Sequence, residues 1–460
     1  MLNRRGFLKA SAGVSALSLA LPFPAEAAQR RGVELAATRG SIDAGEWGVQ
    51  PGTSDESGRA FSRMLAEAAD RNMPMFLPPG VYVLSNLELP RAVRLQGVPG
   101  ATRIVYGGDG YLFLGGHEVE RFELSGLVID GANRWLADQA QGLIDLRRVG
   151  VVRLDDCVLI GSSRNALALE GVAGRVERST FSGAADSGIF AAESAGLTIA
   201  GNTVTDCGNG GILVHRWQPA EDGTIISGNR VERIGARNGG TGQNGNGINL
   251  FRAGGVQVTG NQVADCAFSA IRANGSGNAL IAQNTCLRSG ETAIYSEFSF
   301  EGAVIAGNIV DFAANGISIA NLDQGGRLAT CSGNLVRNLS LDGPYPAESA
   351  GFGIGISIEA DTSVTGNVVE DAPAYGLNIG WGAFMRNVTA TGNVIRRTGI
   401  GVGVTVVEGA GSAVISGNLV SEAPGGAVVG HRWGEKVTED LAATGAAAFP
   451  NLLIERNRAV

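Results

Sequence analysis

The sequence predicts an all-β fold, a right-handed parallel β-helix of roughly twelve coils closed by a short N-terminal capping helix. First, the dipeptide Gly-Asn recurs through the C-terminal two thirds at intervals of 23 to 33 residues, with Gln283 replacing the glycine once. Second, apolar residues alternate around each asparagine, so each coil has a stripe to bury against its neighbours. The repeat asparagines are Asn202, Asn229, Asn261, Asn284, Asn308, Asn334, Asn367, Asn393 and Asn418.

Alignment on the asparagine produces columns of like residues. Valine, isoleucine or cysteine stands two positions after it, and alanine, serine or threonine two positions before it. Earlier coils place Cys157 and Ser179 at the asparagine position, and the last places Asn457 there. Parallel stacking puts these side chains one strand spacing apart, so the asparagines are expected to hydrogen-bond along the stack. The column is therefore structural, and the pattern of a leucine-rich repeat is absent.

Residues 1–27 have the features of an export signal. Residues 3–9, Asn-Arg-Arg-Gly-Phe-Leu-Lys, resemble the twin-arginine motif, and an apolar stretch at 10–21 precedes Ala-Glu-Ala at 25–27. This resemblance implies export by the twin-arginine machinery to the periplasm or the extracellular space. Residues 28–119 are expected to form an N-terminal cap with the first coils, and residues 120–460 the repeats.

The capping helix is predicted between Ser54 or Asp55 and about Arg71. Ser54 and Asp55 are suitable N-cap residues. Residues 61, 64, 65 and 68 (Phe, Met, Leu and Ala) share one helical face. Such a helix would cover the open end of the stack, where backbone groups are otherwise unpaired.

The region after the signal resembles the start of the pectate-lyase superfamily and of phage tailspike-type depolymerases. The matching residues are Trp-Gly-Val at 47–49, Gly-Thr-Ser-Asp-Glu-Ser at 52–57, Leu-Pro-Pro-Gly-Val-Tyr at 77–82 and Leu-Val-Ile-Asp-Gly at 127–131. Those families usually have Asp-Asp-Thr where this chain has Asp-Glu-Ser at 55–57. With its signal, the whole chain is similar to twin-arginine-exported repeat proteins of uncharacterised function. The resemblance implies the fold and a carbohydrate partner.

Composition excludes several classes of partner. The formal net charge is −8, which gives no basic surplus for nucleic acid. No segment after the signal is apolar enough to span a membrane. The five cysteines occupy apolar columns, and Cys207 and Cys266 lie two coils apart, about 9.6 Å, too far for a disulfide. No metal or cofactor motif is found, so we expect neither group.

A candidate site follows from the outward positions of four successive coils. The second strand of each coil begins with glycine or alanine and an apolar residue, which fixes the positions that point outward. Residues 217–223, 235–245 and 338–353 are over-long connections beside this face and are its expected walls. The outward polar residues are His215, Arg216, Asn249, Arg252, Arg272, Asn274, Tyr295 and Glu297.

These residue types suit the chemistry of uronates. Arginine can pair with a substrate carboxylate and ease removal of the adjacent carbon-bound proton. Tyr295 or His215 would act as general base or acid, with Glu297 tuning either of them. Hydrolysis would need a second carboxylate, and Glu359 lies two coils from Glu297, about 10 Å away. The alternative is a solvated face of cross-coil ion pairs.

Two further motifs have structural explanations as good as functional ones. His-Arg-Trp at 215–217 recurs at 431–433, but the copies are about eight coils, roughly 38 Å, apart and cannot share one site. Asp130, Asn133, Arg134 and Trp135 could bind sugar by stacking, or simply form a loop.

Two functions remain open from the sequence. The first is an exported carbohydrate-active enzyme, a polysaccharide lyase or epimerase on uronate-containing glycans, or a hydrolase. The second is a non-catalytic β-helix that binds glycans or has a structural role at the surface. Trimeric assembly of the tailspike kind is a variant of either. The carbohydrate class rests on resemblance and on fold analogy.

Overall fold

The computed structural model of the chain describes residues 40–52, 55–320, 325–346 and 351–460. The predicted signal at 1–27 and the predicted cap residue Ser54 lie outside them. The described chain winds into a parallel β-solenoid of about 14 turns, which confirms the predicted fold class. Roughly twelve turns were predicted because the first coils lack the repeat asparagine, although their strands stack like the others.

One face of the solenoid is a parallel sheet of 16 strands. Its inner residues alternate with exposed ones, as in Ile199 and Ile226, so the sheet is half buried. The strands are Ile42–Asp43, Met75–Phe76, Ala92–Gln96, Arg121–Ser125, Val151–Asp155, Gly174–Glu177, Thr198–Ala200, Ile225–Ser227, Gln257–Thr259, Ala279–Ala282, Glu301–Ala306, Arg327–Ser332, Thr362–Thr365, Val388–Thr391, Ala413–Ser416 and Leu452–Glu455.

The other faces form a second sheet of 26 strands. The strands that follow the asparagine turn are Gly80–Leu84, Thr102–Tyr106, Val128–Asp130, Val158–Ile160, Thr180–Ser182, Thr203–Thr205, Arg230–Ile234, Gln262–Cys266, Leu335–Leu339, Leu419–Ser421 and Arg458–Ala459. The next strands of the coils are Leu87–Glu88, Phe113–Gly115, Gly142–Arg147, Asn165–Glu170, Ser187–Ala192, Gly210–Glu221, Asn246–Gly254, Ile271–Asn274, Ile354–Ile358 and Val428–Arg432. Four strands run through both positions: Thr285–Glu297, Ile309–Ala320, Val368–Ile379 and Val394–Thr405. Glu435–Asp440 returns antiparallel to Val428–Arg432.

The helices are short and lie at the ends and edges of the rod. The α-helix Asp55–Asp70 packs against Ala92–Gln96 and buries the predicted face of residues 61, 64, 65 and 68, confirming the capping helix. The remaining ones are Ala44–Trp47, Gly382–Phe384 and Leu441–Thr444. No helix in the described ranges has the length and apolar character needed to cross a membrane.

The repeat asparagines form a continuous hydrogen-bonded ladder inside the rod. Asn284 Nδ2 donates to Asn308 Oδ1 at 3.0 Å and to Val258 O at 2.9 Å. Asn308 Oδ1 also accepts from the Asn284 backbone N–H at 3.0 Å. The same bonds run from Asn202 to Asn457, as the columns predicted. Ser179 continues the column, since its backbone N–H donates to Asn202 Oδ1.

All five cysteines are buried free thiols, which confirms the prediction from their columns. Burial raises the pKa of Cys157 to about 11 and that of Cys286 to about 12. These thiols fill the core as small apolar groups.

Candidate functional site

The strand register brings the predicted site residues together in two neighbouring columns. Leu213, Asn249, Arg272 and Tyr295 are consecutive partners in one column. The other column contains His215, Phe251, Asn274 and Glu297. This register is the one predicted from the repeats, and it places outward polar groups of successive coils side by side.

This face is covered rather than solvated. Arg272 is 9% exposed and Glu297 is 1% exposed. The predicted wall at 235–245 lies against Arg272, and a Cβ on Gly242 would lie 1.7 Å from Arg272 Nη1. Glycine at this position therefore allows the loop backbone to rest on the guanidinium.

Arg272 forms ion pairs with the carboxylates of Glu297 and Glu291. Its Nε donates to Glu297 Oε1 at 2.6 Å and its Nη2 to Glu297 Oε2 at 3.0 Å. Its Nη1 donates to Glu291 Oε2 at 3.2 Å, and Asn274 Nδ2 donates to Glu297 Oε1 at 2.9 Å. Burial lowers the pKa of Arg272, but the two carboxylates outweigh that effect and raise it. The charges of this network are thus satisfied within the protein.

Glu291 is a candidate that sequence reasoning missed. Its Oε2 accepts a hydrogen bond from Ser269 Oγ at 3.4 Å, and its Oε1 accepts one from the Tyr345 hydroxyl. Burial raises its pKa, and Arg272 acts in the opposite direction. Glu291 lies where the strand register shifts between Ser289 and Thr292, and such a bulge re-aims a side chain. The sequence offered no signal for it, because the coil between Asn284 and Asn308 has the ordinary length of 24 residues.

A cleft of about 290 Å³ opens over the coils that follow the network. Two carboxylates, several neutral polar groups and aromatic rings line it. Its residues are Glu291, Thr292, Tyr295, Asn315, Ser318, Ala320, Tyr345, Gly351, Phe352, Ile354, Ser357, Glu359, Asn378, Gly380 and Trp381. The predicted wall at 338–353 supplies Tyr345 and Phe352, whose rings lie 5.6 Å apart.

Tyr295 is the predicted catalytic residue that lines this cleft. Its ring lies against the Arg272 guanidinium, with 5.0 Å from Cζ to the ring centroid. Burial and then the Glu297 charge raise its pKa. The phenol is therefore held in its protonated form, which suits a hydrogen-bond donor better than a general base. Glu297 helps to raise the pKa of Tyr295, although it does not line the cleft itself.

Glu359 lies in the cleft at the position predicted for it. Glu297 pairs with Ala320, and the next strand continues that row at Glu359, two strand steps or about 10 Å on. Glu291 precedes Glu297 by six residues, but both carboxylates bond Arg272, so the two lie close together around its guanidinium. Glu291 and Glu359 both line the cleft.

His215 and Arg216 lie outside the cleft. His215 packs between the rings of Phe190 and Phe251, with centroids 5.4 and 5.6 Å away, and burial lowers its pKa to about 4. Arg216 pairs with Glu193 at 3.3 Å and Asp222 at 3.5 Å. The imidazole is thus neutral at ordinary pH and shielded by aromatic rings.

Asn249 and Arg252 also lie away from the cleft. Asn249 is buried, and its Oδ1 has no hydrogen-bond partner among the described residues. Arg252 donates to Trp217 O at 2.7 Å and covers the Phe251 ring. The prediction that residues 217–223 form a loop is wrong. The strand Gly210–Glu221 includes most of them, and it pairs again with its neighbour at Ala220.

The other motifs are held by local contacts. His431, the second copy of the histidine, is buried against Tyr375, which lowers its pKa to about 4. It lies eight strand steps from His215. In the loop after Val128–Asp130, Arg134 bonds Gly107 O and Trp135 O accepts from Tyr106, so these contacts anchor the loop.

Comparison with known proteins gives one family. Residues 138–303, somewhat more than a third of the chain, match the family described as periplasmic copper-binding protein (NosD). This stretch includes the first part of the cleft. No curated protein matches the chain.

One solved structure shares the fold at a TM-score above 0.5, and two others are more distantly similar. The pre-mature gene product 12 of bacteriophage phi29 has a TM-score of 0.53 at 13% identity, over 86% of this chain and 66% of that one. The α-1,3-glucanase catalytic unit (GH87) of Streptomyces thermodiastaticus strain HF3-3 has a TM-score of 0.47 at 14% identity, over 92% of this chain and 69% of that one. The Azotobacter vinelandii mannuronan C-5 epimerase AlgE6 A-module has a TM-score of 0.41 at 15% identity, over 91% of this chain and 99% of that one.

Proposed function

We propose that this chain is an exported β-helix protein that binds a segment of a glycan in the cleft over Tyr295. The observation that carries the proposal is the lining: neutral hydrogen-bonding side chains lie between aromatic rings. Ser318, Ser357 and Asn378 stand in register with Tyr295 on successive strands. Such a row offers donors and acceptors to sugar hydroxyls, while the rings favour the apolar faces of sugars.

The cleft favours a neutral glycan over a uronate polymer. No arginine or lysine lies among the described residues that line it. Arg272, the residue expected to pair with a substrate carboxylate, already bonds Glu297 and Glu291. A lyase or epimerase on uronates, proposed from the sequence, would have to break this network on binding.

A catalytic role is the second candidate, and Glu291 favours it. A carboxyl group whose pKa is raised by burial can donate a proton to a glycosidic oxygen at mildly acidic pH. Glycoside hydrolysis also needs a second carboxylate on the same bond. Glu359 also lines the cleft and is the candidate for that second carboxylate.

Copper, which the description of the matched family names, does not fit the donor groups present. Copper sites use thiolate, thioether or imidazole ligands held together. All five thiols face the core, and His215 and His431 lie eight strand steps apart. Within the described ranges, no three histidine, cysteine, aspartate or glutamate side chains lie close enough to hold a metal ion. We derive no function through copper. For location, the family description supports the periplasm, and the twin-arginine route remains a prediction.

The test is a panel of α- and β-glucans, xylan, arabinan and uronate polysaccharides incubated with the mature protein. Binding is measured by affinity electrophoresis, hydrolysis by reducing ends, and elimination by the absorbance of unsaturated products. We expect retention by a neutral glycan that Tyr295→Phe weakens, with Arg233→Ala on a distant exposed pair as control. Product formation that Glu291→Gln abolishes would establish catalysis. No retention by any glycan would overturn the proposal.

A further inference from the structure

We infer that Trp381, Phe384 and Trp433 form a sugar-stacking platform that extends the cleft toward the C-terminal coils, an inference that rests on the proposed function. Trp381 lines the cleft and is half-buried. Its ring centroid lies 5.8 Å from that of Trp433, at an interplanar angle of 71°. The Phe384 ring centroid lies 6.5 Å from that of Trp433. The platform is therefore continuous with the cleft.

The rings are held in place while remaining exposed. Trp433 is 47% exposed and Phe384 is 37% exposed, so packing alone does not explain them. A Cβ on Gly382, whose φ is +55°, would lie 2.3 Å from the Trp433 ring. Thr405 Oγ1 fixes the same turn by donating to Gly382 O at 2.9 Å. A fixed, exposed ring stacks on a ligand with little loss of side-chain freedom.

Trp433 is the outer ring of the platform and lies beyond the reach of a short sugar bound over Tyr295. From Tyr295 the register passes through Ser318 and Ser357 to Asn378, in the strand that leads to Trp381. These three strand steps amount to about 14 Å, and the Trp433 ring lies a further 5.8 Å from that of Trp381. A mono- or disaccharide bound over Tyr295 would not contact Trp433, whereas a longer oligosaccharide would.

The chain contains a matched control in its first His-Arg-Trp copy. Trp217 follows the same two residues and is 51% exposed, close to the exposure of Trp433. It lies about eight strand steps away, and no ring of a described residue packs against it. Substitution of Trp217 by alanine should therefore remove an exposed aromatic ring of similar exposure and leave the cleft unchanged.

The experiment compares the mature wild type with Trp433→Ala, Trp433→Phe and Trp217→Ala. The probe is a ladder from disaccharide to octasaccharide of the glycan retained best in the panel, and affinity is measured by calorimetry. We expect Trp433→Ala to weaken octasaccharide binding about tenfold and leave the disaccharide unchanged. Trp433→Phe should recover part of the loss, and Trp217→Ala should match the wild type.

Each result separates the platform from the cleft. Unchanged octasaccharide affinity in Trp433→Ala would overturn the platform while the proposed function stands. An equal loss in Trp217→Ala would also overturn it. Absence of binding in the wild type would overturn both. In Trp217→Ala, with Trp433 intact, quenching of tryptophan fluorescence that grows beyond the disaccharide supports the platform without depending on the fold of a Trp433 variant.

Discussion

Arg272 and Glu297 lie on adjacent strands and form a two-pronged ion pair, with Nε to Oε1 at 2.6 Å and Nη2 to Oε2 at 3.0 Å. Their side chains are 11% and 1% exposed. Removal of one partner would leave the other charge buried and unpaired, whereas removal of both leaves an apolar gap. This pair forms the wall behind Tyr295, so its energetics bear on the cleft.

We expect Arg272→Met to lower the free energy of unfolding by about 3–5 kcal/mol, because Glu297 keeps its charge without a partner. The double variant Arg272→Met/Glu297→Leu should recover part of this loss. Urea unfolding followed by circular dichroism measures both. The control is Arg233→Met, whose ion pair with Asp206 is about half exposed and worth roughly 1 kcal/mol or less. Equal losses in the two single variants would contradict the assignment.

Stability should fall as the pH rises through the titration of Glu291. Burial raises the pKa of this carboxyl in the folded protein, so the folded state holds the proton more tightly than the unfolded chain. The resulting contribution is complete below the unfolded pKa and is lost as the pH passes the raised folded pKa. Glu291→Gln should therefore flatten the decrease in urea midpoint between acidic and neutral pH.

A second variant tests the direction of the same shift. The Tyr345 hydroxyl donates to Glu291 Oε1 and favours the charged carboxylate. Tyr345→Phe should raise the pKa of Glu291 further and move the loss of stability to higher pH. A slope unaffected by either change would show that Glu291 is not the titrating group.

Asn284→Ala should destabilise the rod far more than Asn457→Ala. Asn284 Oδ1 accepts the Asn261 backbone N–H at 3.0 Å, and its Nδ2 donates to two buried oxygens. Their loss leaves several buried polar groups unsatisfied, at about 1–3 kcal/mol each. Asn457 is only half-buried, so water can replace part of its bonding. Equal shifts in thermal midpoint would contradict a central role for the ladder.

The five thiols should be inert in the folded protein. They are buried, and burial raises the pKa of Cys207 and Cys331 to about 12. Because the thiolate is the reactive form, a disulfide reagent such as dithionitrobenzoate should modify none of them natively. All five should react in denaturant without prior reduction. Fewer than five reactive thiols would indicate a disulfide.

The repeat made the rod predictable. Stacked coils place like residues on one column, so the register of His215, Asn249 and Arg272 followed from counting alone. The capping helix was predictable because its apolar face repeats with helical spacing. The coils before Cys157 escaped the count, because no asparagine marks their turn.

The cleft was less predictable because non-repeating segments build it. The segment at 235–245 was expected beside the face as a wall, but it lies directly on Arg272. Tyr345 reaches Glu291 from 54 positions along the chain, a contact that no local pattern encodes. His215 and Arg216 were expected at the site, and aromatic neighbours and Glu193 hold them elsewhere. The catalytic roles of Tyr295 and Glu297 stay predictions.

The asparagine ladder has a consequence for how such a molecule can change in size. Every amide on it accepts from the coil before and donates to the coil after, so both sides of any internal rung present the same bonding partners. The asparagine of a duplicated coil inserted between two rungs would find a side-chain amide donor on one side and a side-chain carbonyl acceptor on the other. Segments between rungs can also lengthen, as the interval from Asn334 to Asn367 does, without shifting the strands. The number of coils and the length of the segments between rungs can therefore vary, while the strands that carry the cleft keep their register.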